Sequence, residues 1–228
     1  MPKPLVIAHR GDSSRALENS LEAFRLALSV PVDMIEFDIR KSRDNVLYVM
    51  HDKDTGRTAK GNIDIEKAVS DDISRLRLKN GEAIPTLNDV LNLIDGQVGL
   101  NIEIKSKGAG ALTAAHLAGS GYRGQVLISS FQEEEIVGAQ QVMPGVPVAG
   151  IFDTFLPEEI NEYHAKGYRY ISLNHKTVTE ELVSLCHKRG IIVYTWTVDG
   201  EKEMRRLISW NINGIFSNKP EVLKKIVG

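Results

Sequence analysis

Short, continuous apolar runs alternate along the chain with segments whose apolar residues recur at intervals of three and four. Runs that read as strands fall at Leu5 to Ala8, Met34 to Ile39, Gly99 to Ile104, Gln125 to Ser129, Val146 to Gly150, Tyr170 to Leu173, Ile191 to Thr195 and Gly214 to Phe216. Between them, helical spacing is carried by Leu21, Phe24 and Leu28, by Leu87, Val90, Leu91 and Ile94, by Leu112, Ala115 and Ala118, and by Ile136, Ala139 and Val142. The same spacing continues around Ile160, Leu182, Met204 and Leu223. Strands that are apolar throughout are buried on both faces, as in a parallel sheet. Repeated strand–helix units over this length predict an α/β fold, a closed (β/α)8 TIM barrel, with an open doubly wound sheet as the alternative.

One segment breaks the rhythm. From Leu47 to Thr86 the chain holds a short apolar run, "VLYVM", then a polar stretch, before "IPTLNDVL" resumes the pattern. It reads as a small insertion after the second strand, with residues 53–85 as its body, in a chain that reads from 1 to 228 as one domain. A loop that follows a barrel strand projects from the face where active sites are built, so the insertion is placed to cover such a site.

Charge narrows the function classes. The 228 residues carry 28 basic and 30 acidic side chains, a formal charge of −2, so no global field recruits nucleic acid or another polyanion. Any anion must be held by a local cluster. The one cysteine, Cys186, lies in a helical pattern and reads as a small buried hydrophobe, which fits a reducing compartment. No apolar run approaches the roughly 18 residues of a membrane span, and the start lacks a signal-peptide core. A cytoplasmic location without stable membrane association is expected; the oligomeric state is left open.

Chemistry concentrates where strands end. In "MIEFDIR", Glu36 and Asp38 are two residues apart and share a strand face, and Glu103 and Lys105 in "LNIEIKS" are related in the same way. On an amphipathic strand such acids would simply be solvated. Here Met34, Ile35, Phe37 and Ile39 surround the first pair, and Ile102 and Ile104 flank Glu103. Carboxylates in apolar surroundings need a cation or strong donors. Three acids without thiolates suit a hard divalent ion, Mg²⁺ or Ca²⁺, better than zinc. His9 and His51 each end an apolar run and form a natural acid/base pair, although a lone histidine in such a place is usually structural. Arg10 and Lys105 can neutralise a phosphate. The set suits phosphoryl transfer or phosphodiester cleavage. His116, His164 and His187 fall in helices and read as surface residues or as partners of a helix C-terminal dipole, whereas His175 after the sixth strand either lines the pocket or is an ordinary loop side chain.

The ordered series "AHRG", "LENSLEAF", "MIEFDIR", "MHD", "IPTLNDVL", "NIEIK", "ISSF" and "VYTWTVD" resembles the glycerophosphodiester phosphodiesterase family from residue 6 to about residue 220. The resemblance implies a TIM barrel that hydrolyses glycerophosphodiesters to sn-glycerol 3-phosphate and an alcohol with a divalent metal, Mg²⁺ or Ca²⁺, with Mn²⁺ also admissible. It implies His9 and His51 as catalytic residues, Arg10 and Lys105 as phosphate contacts, and Glu36, Asp38 and Glu103 as metal ligands. Trp196 becomes a pocket wall, with barrel packing as its plainer reading. Glu18 is expected near the metal or its waters, and Asn19 organises the first loop. By analogy with phosphatidylinositol-specific phospholipase C, His9 is the base and His51 the acid. Three positions depart from the family pattern: Leu17 for Pro, Ser20 for Thr, and Asn218 for Asp. The insertion offers no large apolar surface, which favours a water-soluble small-molecule substrate. A lysophospholipase D, a phospholipase C-like enzyme and a non-catalytic phosphodiester-binding barrel are the alternatives.

Overall fold

The computed structural model describes residues 3–228. Its first elements are β1 (Leu5–His9), α1 (Leu21–Leu28), β2 (Met34–Lys41), β3 (Leu47–Val49), β4 (Ala59–Lys60), α2 (Ser70–Ser74), β5 (Arg77–Leu78) and α3 (Leu87–Ile94). There follow β6 (Gly99–Ile104), α4 (Ala109–Ser120), β7 (Val126–Ser130), α5 (Glu133–Val142), β8 (Val148–Phe152) and α6 (Ile160–Ala165). The chain ends with β9 (Tyr170–Asn174), α7 (Glu180–Lys188), β10 (Ile192–Trp196), α8 (Glu201–Ser209), β11 (Gly214–Ser217) and α9 (Pro220–Val227).

The nine-stranded sheet runs β1-β11-β10-β9-β8-β7-β6-β2-β3, and a further β1–β2 pairing closes it into a ring. Only β3 is antiparallel; without it the ring is an eight-stranded parallel (β/α)8 TIM barrel, as the spacing predicts. Two apolar layers account for the closure. Ile35, Phe37, Leu100, Ile102, Ile128 and Val193 belong to the main core, which also takes in helix residues such as Phe24, Leu91 and Leu207. On the alternate strand face, Ile7, Met34, Leu127, Ala149, Tyr194 and Phe216 fill the barrel interior.

Helix starts follow local chemistry. Ser20 accepts a hydrogen bond from the Ala23 amide, Thr179 accepts one from that of Leu182, and Thr86 with Asp89 forms a capping box. Between β2 and α3 the chain makes β3 against the far end of β2, the short β4–β5 pair and α2. This segment has its own small core of Tyr48, Met50, Ala59, Ile65, Ile73, Leu78 and Ile84. Among the described residues, no helix is long and apolar enough to cross a membrane.

Candidate active site

Strand register brings the acids together. His9 at the end of β1 lies beside Glu36 on β2, Glu36 beside Asn101 on β6, and Asp38 beside Glu103. Because alternate residues share a face, all of these project into the barrel mouth. One carboxylate oxygen from each of Glu36, Asp38 and Glu103 lies within 4.8 Å of the others. All three side chains are buried.

Such crowding is costly without a counter-charge, and proton affinities record it. Burial, then the neighbouring Asp38 charge, pushes Glu36 up to about 8 and Glu103 up to about 7. Burial also opposes ionisation of Asp38, but Lys105 and Arg10 outweigh it and hold that group at about 2. Glu36 Oε1 and Asp38 Oδ1 are buried and accept no hydrogen bond, although Lys105 Nζ stands 3.3 Å from the latter. Three converging carboxylates, two of them with an orphaned oxygen, fit a divalent cation bound through hard oxygen ligands.

A cavity of about 180 Å³ opens over this trio, lined by His9, Arg10, His51 and Lys105 and walled by Phe131 and Trp196. A second cavity of about 200 Å³, walled by Phe152, Phe155, Tyr163 and Tyr168, contains none of the histidines and none of the three clustered acids. The chemistry therefore belongs to the first.

Each cation is gripped. Arg10 reaches Asp38 Oδ2 at 3.2 Å through Nε and donates to Glu18 Oε1 at 2.8 Å through Nη1. Its backbone amide donates to Glu36 Oε2 at 2.8 Å, from a residue held at φ 55°. A non-glycine residue in that region is strained, and surrounding contacts must hold it there. The next residue, Gly11, has φ 80°, and a Cβ there would meet the Ala23 backbone at 2.7 Å. Only glycine lets the first loop pass α1 so closely. Lys105 bonds Glu103 and stands 5.7 Å from the centroid of Phe131, which meets Trp196 edge to face at 5.5 Å.

The two histidines have different partners. His9 Nδ1 lies 2.7 Å from Asn218 Oδ1, and its Nε2 is 3.9 Å from Glu36 Oε2. His51 Nδ1 lies 2.7 Å from Asp52 Oδ1. Both rings have proton affinities below the usual histidine value, chiefly from burial, with the Arg10 charge adding to the effect.

Glu18 does not join the carboxylate trio; it pairs with Arg10 and Arg57. Asn19, at φ 57°, donates to Asp38 Oδ2 at 2.8 Å and so fixes one of that residue's two oxygens. His175 is outside the cavity, with Nδ1 3.3 Å from Glu203 Oε1. Arg57 and Asp199 escape a sequence reading. Asp52 is signalled by its place after His51 at the end of a strand-like run, and Asn218 by its departure from the family's Asp, but neither signal names the histidine partner.

A closed barrel that gathers paired histidines, buried cations and a cation-hungry carboxylate trio at one mouth defines the class: a barrel hydrolase of phosphate esters. The model of the Glycerophosphoryl diester phosphodiesterase family matches residues 9–222, and the chain belongs to that family. It is 32% identical over 241 residues to a glycerophosphodiester phosphodiesterase of Caldanaerobacter subterraneus subsp. tengcongensis, covering 99% of this chain and 98% of the relative. Among solved structures, a glycerophosphodiester phosphodiesterase from Parabacteroides distasonis matches with a TM-score of 0.88 and 26% identity, covering 99% of this chain and 97% of that one. A phosphodiesterase from Oleispira antarctica, in complex with the product sn-glycerol 3-phosphate, shares the fold with a TM-score of 0.92 at 23% identity, over 99% of this chain and 97% of that one.

Proposed function

We propose that the protein hydrolyses glycerophosphodiesters to sn-glycerol 3-phosphate and an alcohol, with His9 as general base and His51 as general acid. The observation that carries this reading is the sharing of one cavity by His9, His51, Arg10 and Lys105 above the carboxylate trio. Glu36, Asp38 and Glu103 would hold the divalent cation, Mg²⁺ or Ca²⁺ with Mn²⁺ as a substitute. A bound cation would supply Lewis-acid charge withdrawal at a phosphoryl oxygen and the counter-charge for the crowded acids.

The chain's own groups divide the remaining work. Arg10 and Lys105 hold the phosphate, and Phe131 and Trp196 wall the alcohol side. Asn218 Nδ2 donates to Asp199 Oδ2 at 2.7 Å, which turns Oδ1 of the same amide toward His9. An acceptor at that position keeps the proton on His9 Nδ1 and leaves the Nε2 lone pair toward the cavity. His9 is thereby prepared to take a proton from the attacking oxygen, either a water or the neighbouring glycerol hydroxyl.

His51 faces a charged partner. The Arg57 guanidinium beside Asp52 holds that carboxyl at about 2, so it remains an acceptor for His51 Nδ1–H. That carboxylate offsets part of the burial that lowers the ring's proton affinity, and from the protonated ring the Nε2 proton can pass to the departing alkoxide. The neutral amide beside His9 and the carboxylate beside His51 support this division of proton removal and proton delivery.

Water-soluble diesters are the proposed substrates, without nucleic acid or a stable membrane partner, and the buried Cys186 thiol fits a cytoplasmic setting. The 53–85 insertion and the barrel act as one catalytic domain. A panel of glycerophosphodiesters assayed with Mg²⁺, Mn²⁺ and Ca²⁺ for glycerol 3-phosphate release tests the proposal. Cyclic phosphate as the end product, or lysophosphatidic acid from lysophospholipids in preference to these diesters, points to the phospholipase alternatives. Tight binding without turnover under every metal points to a binding protein.

A further inference from the structure

Arg57 belongs to the insertion and does not line the cavity, yet it touches two groups that control the site. Its Nη1 and Nη2 donate to the two oxygens of Glu18, each at 2.7 Å, and its Nε donates to Asp52. Asp52 holds His51, and Glu18 Oε1 also accepts from Arg10 Nη1. A single chain of alternating charge therefore runs from His51 through Asp52, Arg57, Glu18, Arg10, Asp38 and Lys105 to Glu103. Arg57 is the link between its histidine end and its phosphate-binding end.

The link is stiff on its far side as well. Lys79 Nζ donates to the Arg57 carbonyl at 2.6 Å, and the Lys79 amide donates to the Thr58 carbonyl at 2.8 Å. Ala59, two residues on, is buried in the insertion's own core. The guanidinium is thus presented by a packed unit, and its planar fork meets Glu18 with both terminal nitrogens, the arrangement that adds directional precision to charge pairing. The Arg57 side chain is 48% exposed, so its ion pairs contribute little to global stability. Its value lies in geometry.

We infer that Arg57 is a positioning residue: it aligns His51 and Arg10 with each other across the cavity and makes the insertion a working part of the catalytic apparatus. This rests on the proposed acid role of His51. Without Arg57, Asp52 and Glu18 lose their common anchor, and the imidazole and the guanidinium move independently. A misplacement on the order of 1 Å costs about a hundredfold in rate when the reacting groups must be aligned.

The test compares wild type with Arg57→Ala, Arg57→Lys, Asp52→Asn and the Arg57→Ala/Asp52→Asn double variant. Assays use whichever glycerophosphodiester the wild type turns over, and the ¹⁵N resonances of the His51 ring are recorded alongside. Arg57→Ala is expected to lower kcat by roughly 10- to 100-fold while KM changes less than about threefold. Arg57→Lys, which supplies one point charge in place of the fork, restores part of the loss and covers the case in which the alanine variant does not fold. The double variant is expected to be scarcely slower than Asp52→Asn, because the alignment of His51 with Arg10 is already broken once the Asp52 link is lost. The His51 Nδ1 resonance shifts or broadens in Arg57→Ala. Wild-type kcat in Arg57→Ala, a loss confined to KM, or an additive double variant with an unmoved His51 resonance overturns the inference. A wild type that cleaves no diester counts against the proposed function instead, and the His51 resonance still reports on the Arg57 contact.

Discussion

His9 Nδ1 and Asn218 Oδ1 meet at 2.7 Å across the ends of the first and last barrel strands, 209 positions apart in the chain. The same amide oxygen accepts from Ser13 Oγ at 2.8 Å, and the Asn218 backbone and side-chain amides both donate to Asp199. A neutral amide so fixed can orient a neutral imidazole without adding a charge to it. Asn218→Ala removes the acceptor and leaves the ring free to turn. The expected outcome is a fall in kcat of about 10- to 100-fold, the scale of lost orientation, with KM nearly constant. Steady-state kinetics check it, and an unchanged kcat would remove Asn218 from the account.

The contrast between His9 with its amide and His51 with its carboxylate separates their roles experimentally. Either alanine substitution should remove a factor of about 100 or more from turnover of a natural diester. A substrate whose leaving group is already a good one, such as a nitrophenyl ester of glycerol phosphate, needs no proton delivered to it. His51→Ala is therefore expected to recover most of its activity on that substrate, and His9→Ala to remain slow. Recovery in His9→Ala instead would exchange the two roles.

Strand positions were legible because the barrel buries both faces of each strand, which leaves uninterrupted runs such as "MIEFDI". The fifth apolar run spans Val146 to Gly150, but β8 spans Val148–Phe152. Val146 is buried, yet it precedes Pro147, which has no amide to give a ladder. The pieces of the insertion were not legible. With two-residue strands and a five-residue helix, they carry too few apolar positions to set a period. For the site, acids two apart on an apolar strand announced themselves locally. Asn218, Asp199 and Arg57 act through partners made adjacent only by barrel closure or by the fold of the insertion.

The crowded carboxylates predict competition between protons and metal. Glu36, at about 8, and Glu103, at about 7, retain protons in the metal-free protein where an isolated glutamate would have lost them, and Asp38, at about 2, does not. Because the folded form then binds more protons than the unfolded chain, metal-free stability declines as pH rises from the ordinary glutamate value through about 8. A cation must displace those protons, so its apparent affinity falls about tenfold per pH unit for each proton released. Calorimetric titration with Mg²⁺ or Mn²⁺ at pH 8.5 and pH 6 is expected to show binding weaker at the lower pH by about two to three orders of magnitude. Added metal should also raise the thermal midpoint more at the higher pH. Affinity independent of pH would mean that the ion sits elsewhere.

The contact between α4 and α5 supplies a test of the frame itself. A Cβ built on Gly110 would lie 2.1 Å from the Glu135 carbonyl oxygen and 2.8 Å from its carbon, so backbone rather than a flexible side chain would have to yield. The same residue's buried carboxylate accepts from the Gly108 and Gly110 amides at 2.7 and 2.8 Å, closing the N-terminal end of α4, whose N-cap residue, Gly108, has no side chain to do so. Gly110→Ala must part the helices and disturb that cap together. A loss of about 1–3 kcal/mol is expected, which at this chain length lowers the thermal midpoint by roughly 2–12 °C. Gly119 lies on the same helix with nothing within 4 Å of an added Cβ. Gly119→Ala there gains helix propensity and should leave stability unchanged or raise it by up to about 1 kcal/mol. Thermal unfolding of the two variants side by side distinguishes the tight helix contact from a general intolerance of α4, because equal losses in both would contradict the packing described.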